Sequence, residues 1–198
     1  MKEVRKYTVQ TFDEFNEAEQ KKILDNYRNI NTDYVGWVDL FYYCEELRQR
    51  GFGVGIRDIE YDLSCCQGSG ASFTADHLDY KILLADLDIK HKDFWIAYLD
   101  GQSLEVKSYK FGDVHKYSKY IDTEYCVLDY RGAEHDWPHL AKDFGKILAH
   151  IENKRREACE WLYKALMDEM EYLESDEAVR DTIEANEYLF DTRTLKIA

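Results

Sequence analysis

The chain has 198 residues, 45% apolar and 15% aromatic, enough to bury a sizeable core, so a mainly disordered state is excluded and a single domain over residues 1–198 is expected. Forty Asp and Glu against 26 Lys and Arg leave a formal charge of −14, which makes direct binding of DNA or RNA unfavourable unless the basic residues are sharply segregated. Proteins with a basic surface are better-matched partners. The opening MKEVRKYTVQ lacks an apolar stretch of signal-peptide length, and no run approaches the roughly 18 apolar residues of a membrane span, so no membrane partner is expected. Cys44, Cys65, Cys66, Cys126 and Cys159 form an odd, scattered set without CxxC spacing. In a chain expected not to be exported they read as reduced thiols, which places the protein in the cytoplasm.

Thr11-Phe12-Asp13-Glu14 has the form of a capping box, in which a hydroxyl and a carboxylate satisfy the free N–H groups at a helix start. It predicts a helix from about 12 to 30 with Phe12, Phe15, Ile23, Tyr27 and Ile30 facing inward. A second helical pattern carries Trp37, Leu40, Phe41, Cys44 and Leu47 and meets Gly51, the residue type that best tolerates a left-handed helix stop. Residues 1–51 thus predict an antiparallel helical hairpin.

From Gly51 the period changes to two, with Ile59, Tyr61 and Leu63 on one side and Asp58, Glu60 and Asp62 on the other. Gln67-Gly68-Ser69-Gly70 supplies the glycines of a tight connection, and Ala71-Ser72-Phe73-Thr74 reads as the returning strand. Asp76 to Asp88 fits a helix through Leu78, Ile82 and Ala85 and a buried strand through Ile82-Leu83-Leu84, and the pattern does not choose between them. Phe94 to Leu99, Leu104 to Phe111 after the Asp100-Gly101 turn signal, and Tyr120 to Tyr130 are further strand patterns. Residues 52–131 therefore predict a central, mostly antiparallel sheet of four or five strands.

Pro138 suits the first turn of a helix after Asp136. From there Leu140, Phe144, Ile147, Leu148, Ile151, Ala158, Leu162, Ala165, Leu166 and Leu173 keep helical spacing over about 36 residues, roughly 54 Å. That exceeds the width of a small domain, so the helix is expected to bend, to break near Asn153, or to pack on a second copy as a homodimer. Ser175 starts a last helix, and Tyr188 to Ile197 reads as a short edge hairpin around Asp191-Thr192. The predicted fold is α+β: an N-terminal helical hairpin, a central antiparallel sheet, and C-terminal helices over 136–198 led by a long one.

The run Ser64-Cys65-Cys66-Gln67-Gly68-Ser69-Gly70-Ala71-Ser72-Phe73 resembles a strand–loop–strand motif, Ser-Gln-Gly-Asp-Gly-Ala-Ser-Phe-like, of small phage and mobile-element proteins. The segments Tyr172 to Val179 and Ile183 to Phe190 are also similar to that group. The likeness extends over about 12–190, and Ser69 stands where the group usually carries Asp. It implies a phage accessory protein acting in the host cytoplasm and supplies no catalytic residue and no cofactor.

Several constellations offer chemistry. Gln67, Gly68, Ser69, Gly70 and Ser72 either cradle a small anionic ligand with backbone N–H groups or only make a turn, with Gln67 and Ser72 plugging buried polar groups. Cys65 and Cys66 are strand neighbours facing opposite ways, so they suit neither a disulfide nor a shared metal, and nothing local activates either as a nucleophile with His77 as base. His135 and His139 have a zinc-like spacing interrupted by Pro138, and Asp86, Asp88, His91 and Asp93 lack the spacing of a calcium loop, so no metal is expected. Lys154-Arg155-Arg156 reads as a solvated face.

Charge asymmetry is more informative: residues 168–191 hold ten Asp or Glu and one base, Arg180, a charge of −9 out of −14. Glu171, Glu174, Asp181 and Glu184 are the candidate partner-binding residues, an acidic rim imitating nucleic-acid phosphates. The leading expectation is a non-catalytic inhibitor of a host defence or nucleic-acid-handling protein, of anti-CRISPR or anti-restriction type. The alternatives are a small-ligand or nucleotide-acting enzyme centred on Gln67–Phe73, and a phage assembly or structural partner.

Overall fold

The computed structural model describes residues 8–34, 40–63, 69–101, 105–108, 126–129 and 141–198. In chain order the elements are β1 (Val9–Thr11), α1 (Glu17–Asn26), α2 (Leu40–Gln49), β2 (Phe52–Gly53), β3 (Ile59–Asp62), β4 (Gly70–Phe73), β5 (His77–Leu78), α3 (Tyr80–Leu83), α4 (Lys92–Asp100), β6 (Glu105–Ser108), β7 (Cys126–Asp129), α5 (Ala141–Leu173), α6 (Asp176–Ala185) and β8 (Leu189–Asp191). This is an α+β fold with the expected long C-terminal helix. Among the described residues the strands make four two-stranded antiparallel sheets, β1–β8, β2–β5, β3–β4 and β6–β7, in place of the one central sheet expected.

Contacts divide the chain into two units, one joining its two ends, up to Trp37 and from Asp168, the other formed by Val38–Met167. The expected helical hairpin is distributed over both, since α1 lies in the first and α2 in the second. The uninterrupted helix α5 contributes its first 27 residues to the second unit and its last six to the first. It does not break at Asn153, and its length serves two units.

In the first unit the Thr11–Glu14 box forms, with the Thr11 N–H donating to Glu14 Oε2 at 2.8 Å, but it opens only a 3-10 turn over Phe12–Glu14. The long helix predicted from 12 to 30 is shorter because a second box, Asn16 with Glu19, starts α1 five residues on: the Glu19 N–H donates to Asn16 Oδ1 at 3.0 Å. Phe12, Phe15, Ile23, Leu24, Val179, Ile183 and Phe190 form the core, flanked by Tyr27, Ile30, Tyr188 and Leu195. β8 carries Phe190 inward, pairing Gln10 with Phe190, while Ile197 bridges its other side as the expected tail hairpin in reduced form.

In the second unit α2 buries Tyr43, Cys44 and Leu47 and leaves Phe41 78% exposed, contrary to its predicted inward position. Helix α2 ends at Gly51, whose φ of +93° requires glycine. β3 and β4 pair as predicted, Ile59 opposite Phe73 and Glu60 opposite Ser72. The ambiguous 76–88 segment resolves into β5 and the single turn α3. Phe94–Leu99 is helix α4, not a strand: Trp95 and Leu99, four apart, are buried, and the Trp95 ring stacks on Phe144 of α5 at 6.0 Å. Along α5 the buried face is Phe144, Ile147, Ile151, Ala158, Leu162 and Leu166, with Arg155 also fully buried and gripping Glu152 through Nε (3.0 Å) and Nη2 (2.9 Å).

Candidate partner-binding surface

Helix α6 is built so that one side is apolar and the other acidic. Ser175 caps it, its Oγ accepting from the Ala178 N–H at 3.2 Å, and Ala178, Val179 and Ile183 are buried. The turns between them carry Glu177, Asp181 and Glu184 outward, all exposed. These three are four and three residues apart, hence neighbours on one stripe. The only base of the helix, Arg180, lies with its guanidinium carbon 5.4 Å from the Phe12 ring centroid, a cation–π contact. Among the described residues none of Glu171, Glu177, Asp181 and Glu184 is in an ion pair.

The other acids of this end are not equivalent. Asp176 is held at 2.7 Å by Arg28 Nη2, and that hydrogen bond keeps its carboxyl below the ordinary value. Asp191 is buried and accepts the Arg193 and Thr194 N–H groups at 2.9 and 3.0 Å, which hold its carboxyl down as well. Glu174, predicted on a solvated helix face, is half-buried at the corner between α5 and α6, where its carbonyl accepts Arg28 Nη1 at 2.7 Å. Of the four predicted residues, Glu171, Asp181 and Glu184 are exposed and Glu174 is not. Glu177 was missed, although its i, i+4, i+7 spacing with Asp181 and Glu184 is visible in the sequence. The described residues of this unit carry sixteen acids and six bases, so most of the net negative charge of the chain is concentrated here.

The glycine loop divides differently. Gln67 and Gly68, with Ser64, Cys65 and Cys66, lie outside the described residues. Ser69 is 3% exposed and Ser72 1% exposed, and every residue of β4 from Gly70 to Phe73 is buried, with the Phe73 ring tilted against that of Phe52 at 5.2 Å between centroids. The described half of the motif is therefore core, and Ser69, Gly70 and Ser72 present no open surface for a ligand.

His135 and His139 lie outside the described residues, and no three His, Cys, Asp or Glu side chains gather as metal ligands among the described ones. Asp86, weighed as a cation ligand, instead meets Lys154 Nζ at 2.7 Å and His150 Nε2 at 3.0 Å. His150 Nε2 also lies 3.1 Å from the Leu83 carbonyl, so this nitrogen faces two acceptors and must carry the proton. The hydrogen bond from Lys154 lowers the Asp86 pKa and raises that of Lys154. No helix among the described residues is long and apolar enough to cross a membrane. No protein family, curated protein or solved structure matches this chain.

Proposed function

We propose that this protein is a non-catalytic binding protein that engages a basic surface of a partner protein through the outer face of α6. The observation that carries the reading is the stripe of Glu177, Asp181 and Glu184, exposed and without ion pairs among the described residues, while the one base beside it leans on Phe12. Three carboxylates spread over about 10 Å of helix axis match a basic cleft built for a phosphate backbone. The resemblance to phage and mobile-element proteins adds the context: inhibition of a host defence or nucleic-acid-handling protein in the host cytoplasm. The ligand-loop alternative is weakened by the burial of Ser69 and Ser72.

Pull-down from host lysate supplies the partner, and its affinity is then measured against salt. Affinity should fall, chiefly through the association rate, as salt shortens the screening length to about 8 Å at physiological strength. Reversal of Glu171, Glu177, Asp181 and Glu184 to lysine should weaken the complex by about tenfold or more without loss of fold. A partner whose binding responds to neither change sinks the reading. Self-association through α5 belongs to the same proposal, and a single 23.5 kDa species by light scattering would remove it.

A further inference from the structure

We infer that a pocket in the second unit binds a small dipolar ligand of the amino-acid class, independently of the acidic surface. The pocket lies where the end of α2, the turn α3 and the middle of α5 meet, holds about 180 Å³, and is lined by Arg50, Ile82, Lys154, Glu157 and Ala158. That is room for about six waters at roughly 30 Å³ each, enough for an amino acid. It is below the roughly 300 Å³ at which sites for larger ligands begin, which argues against a nucleotide.

The lining charges are engaged to different degrees. Arg50 donates from Nη1 to the Glu46 carbonyl at 2.8 Å and to Glu46 Oε2 at 2.7 Å, and its guanidinium carbon lies 4.1 Å from the Trp161 ring centroid. Those contacts fix the plane of the group, while Nε and Nη2 make no hydrogen bond among the described residues. The Nε–Nη2 edge is a fork that takes a carboxylate through two parallel bonds. Lys154 is already bound to Asp86 at 2.7 Å. Glu157 is 70% exposed, and its nearest cation, Lys154 Nζ, stands at 3.9 Å, the outer limit of an ion pair.

The two groups left to act on a ligand are therefore of opposite sign, Arg50 and Glu157. Around them Arg50 and Lys154 face three carboxylates, those of Glu46, Asp86 and Glu157. That balance opposes a net anion such as phosphate, whereas a zwitterion adds no net charge. A carboxylate on the Arg50 edge, an ammonium on Glu157 and a short aliphatic side chain on Ile82 and Ala158 use four of the five lining residues, the fifth, Lys154, being held by Asp86.

The test is calorimetric titration of the full chain with L-leucine, with 4-methylpentanoate, which is leucine without its amino group, and with inorganic phosphate. Leucine should bind saturably at one site, 4-methylpentanoate about tenfold more weakly, and phosphate more weakly still. Glu157→Gln, at an exposed position, should remove the preference for leucine over 4-methylpentanoate, weakening leucine while leaving 4-methylpentanoate no weaker than on the parent. Arg50→Lys, which keeps the charge and removes the fork, should weaken both carboxylates by about tenfold, with thermal melts confirming the fold. If Arg50→Lys fails to fold, Glu157→Gln decides alone. No saturable leucine binding by about 10 mM, phosphate binding tighter than leucine, or equal affinity for leucine and 4-methylpentanoate overturns the inference. So does a Glu157→Gln protein that binds leucine within about twofold of the parent.

Discussion

Asn31 shows how much one polar residue can hold. It is 5% exposed; its Nδ2 donates to the Leu173 and Ala178 carbonyls, both at 3.2 Å, and its Oδ1 accepts from Thr182 Oγ1 at 2.8 Å. Asn31→Ala would leave these groups without that partner and should cost about 2–3 kcal/mol in denaturant titration. Glu187 offers the opposite case. Its φ of +52° closes α6 in a Schellman turn, with the Tyr188 N–H on the Ile183 carbonyl and the Glu187 N–H on the Glu184 carbonyl. Glycine takes this conformation without the penalty of a Cβ, so Glu187→Gly should raise stability by about 0.5–1 kcal/mol. The pH response belongs to the same scale. Asp176 and Asp191 lie below the ordinary 3.8 in the folded state, so their contribution is complete above that value and is lost as pH falls through the lowered values. Acid unfolding should steepen below about pH 4, and Asp191→Asn should flatten that limb of the stability curve.

At the scale of elements, what could be read locally was read. The stop of α2 at Gly51, the β3–β4 pairing and the Ser175 start of α6 each rest on a signal within a few residues. At Gly51 an added Cβ would stand 2.7 Å from Leu83 Cγ on a backbone with φ +93°, so Gly51→Ala should cost about 2–3 kcal/mol by thermal melting. Helix α4 escaped because Phe94, Trp95 and Tyr98 have strand propensity, and only the burial of Trp95 and Leu99 beside α5 overrides it. β1 escaped for another reason: a three-residue strand has no period to detect, and its partner Asp191 stands at the far end of the chain from Val9. The acidic end was visible as composition, but Asp176 and Asp191 are separated from Glu177 and Asp181 only by contacts with Arg28 and the 193–194 turn. The pocket was hidden because Arg50, Ile82 and Lys154 come from three distant stretches.

On the scale of the whole molecule, charge and connectivity are both uneven. Sixteen acids against six bases in the described part of the first unit make it the end that should respond to ionic strength. The connectivity has a consequence in time. The second unit is one continuous stretch, Val38–Met167, whereas the first waits for both ends of the chain. At about 5–20 residues per second of synthesis, the start of the chain emerges roughly ten seconds before its partner segment exists. During that interval Phe12, Phe15, Ile23 and Leu24 have no Val179, Ile183 or Phe190 to cover them. A nascent chain arrested at Met167 should therefore expose this patch to chaperones and proteases, and release of the last 31 residues should abolish that exposure. Residues 168–198 act as the closing step of this unit, so a stop placed before Val179 would leave Phe12, Phe15, Ile23 and Leu24 without their core partners.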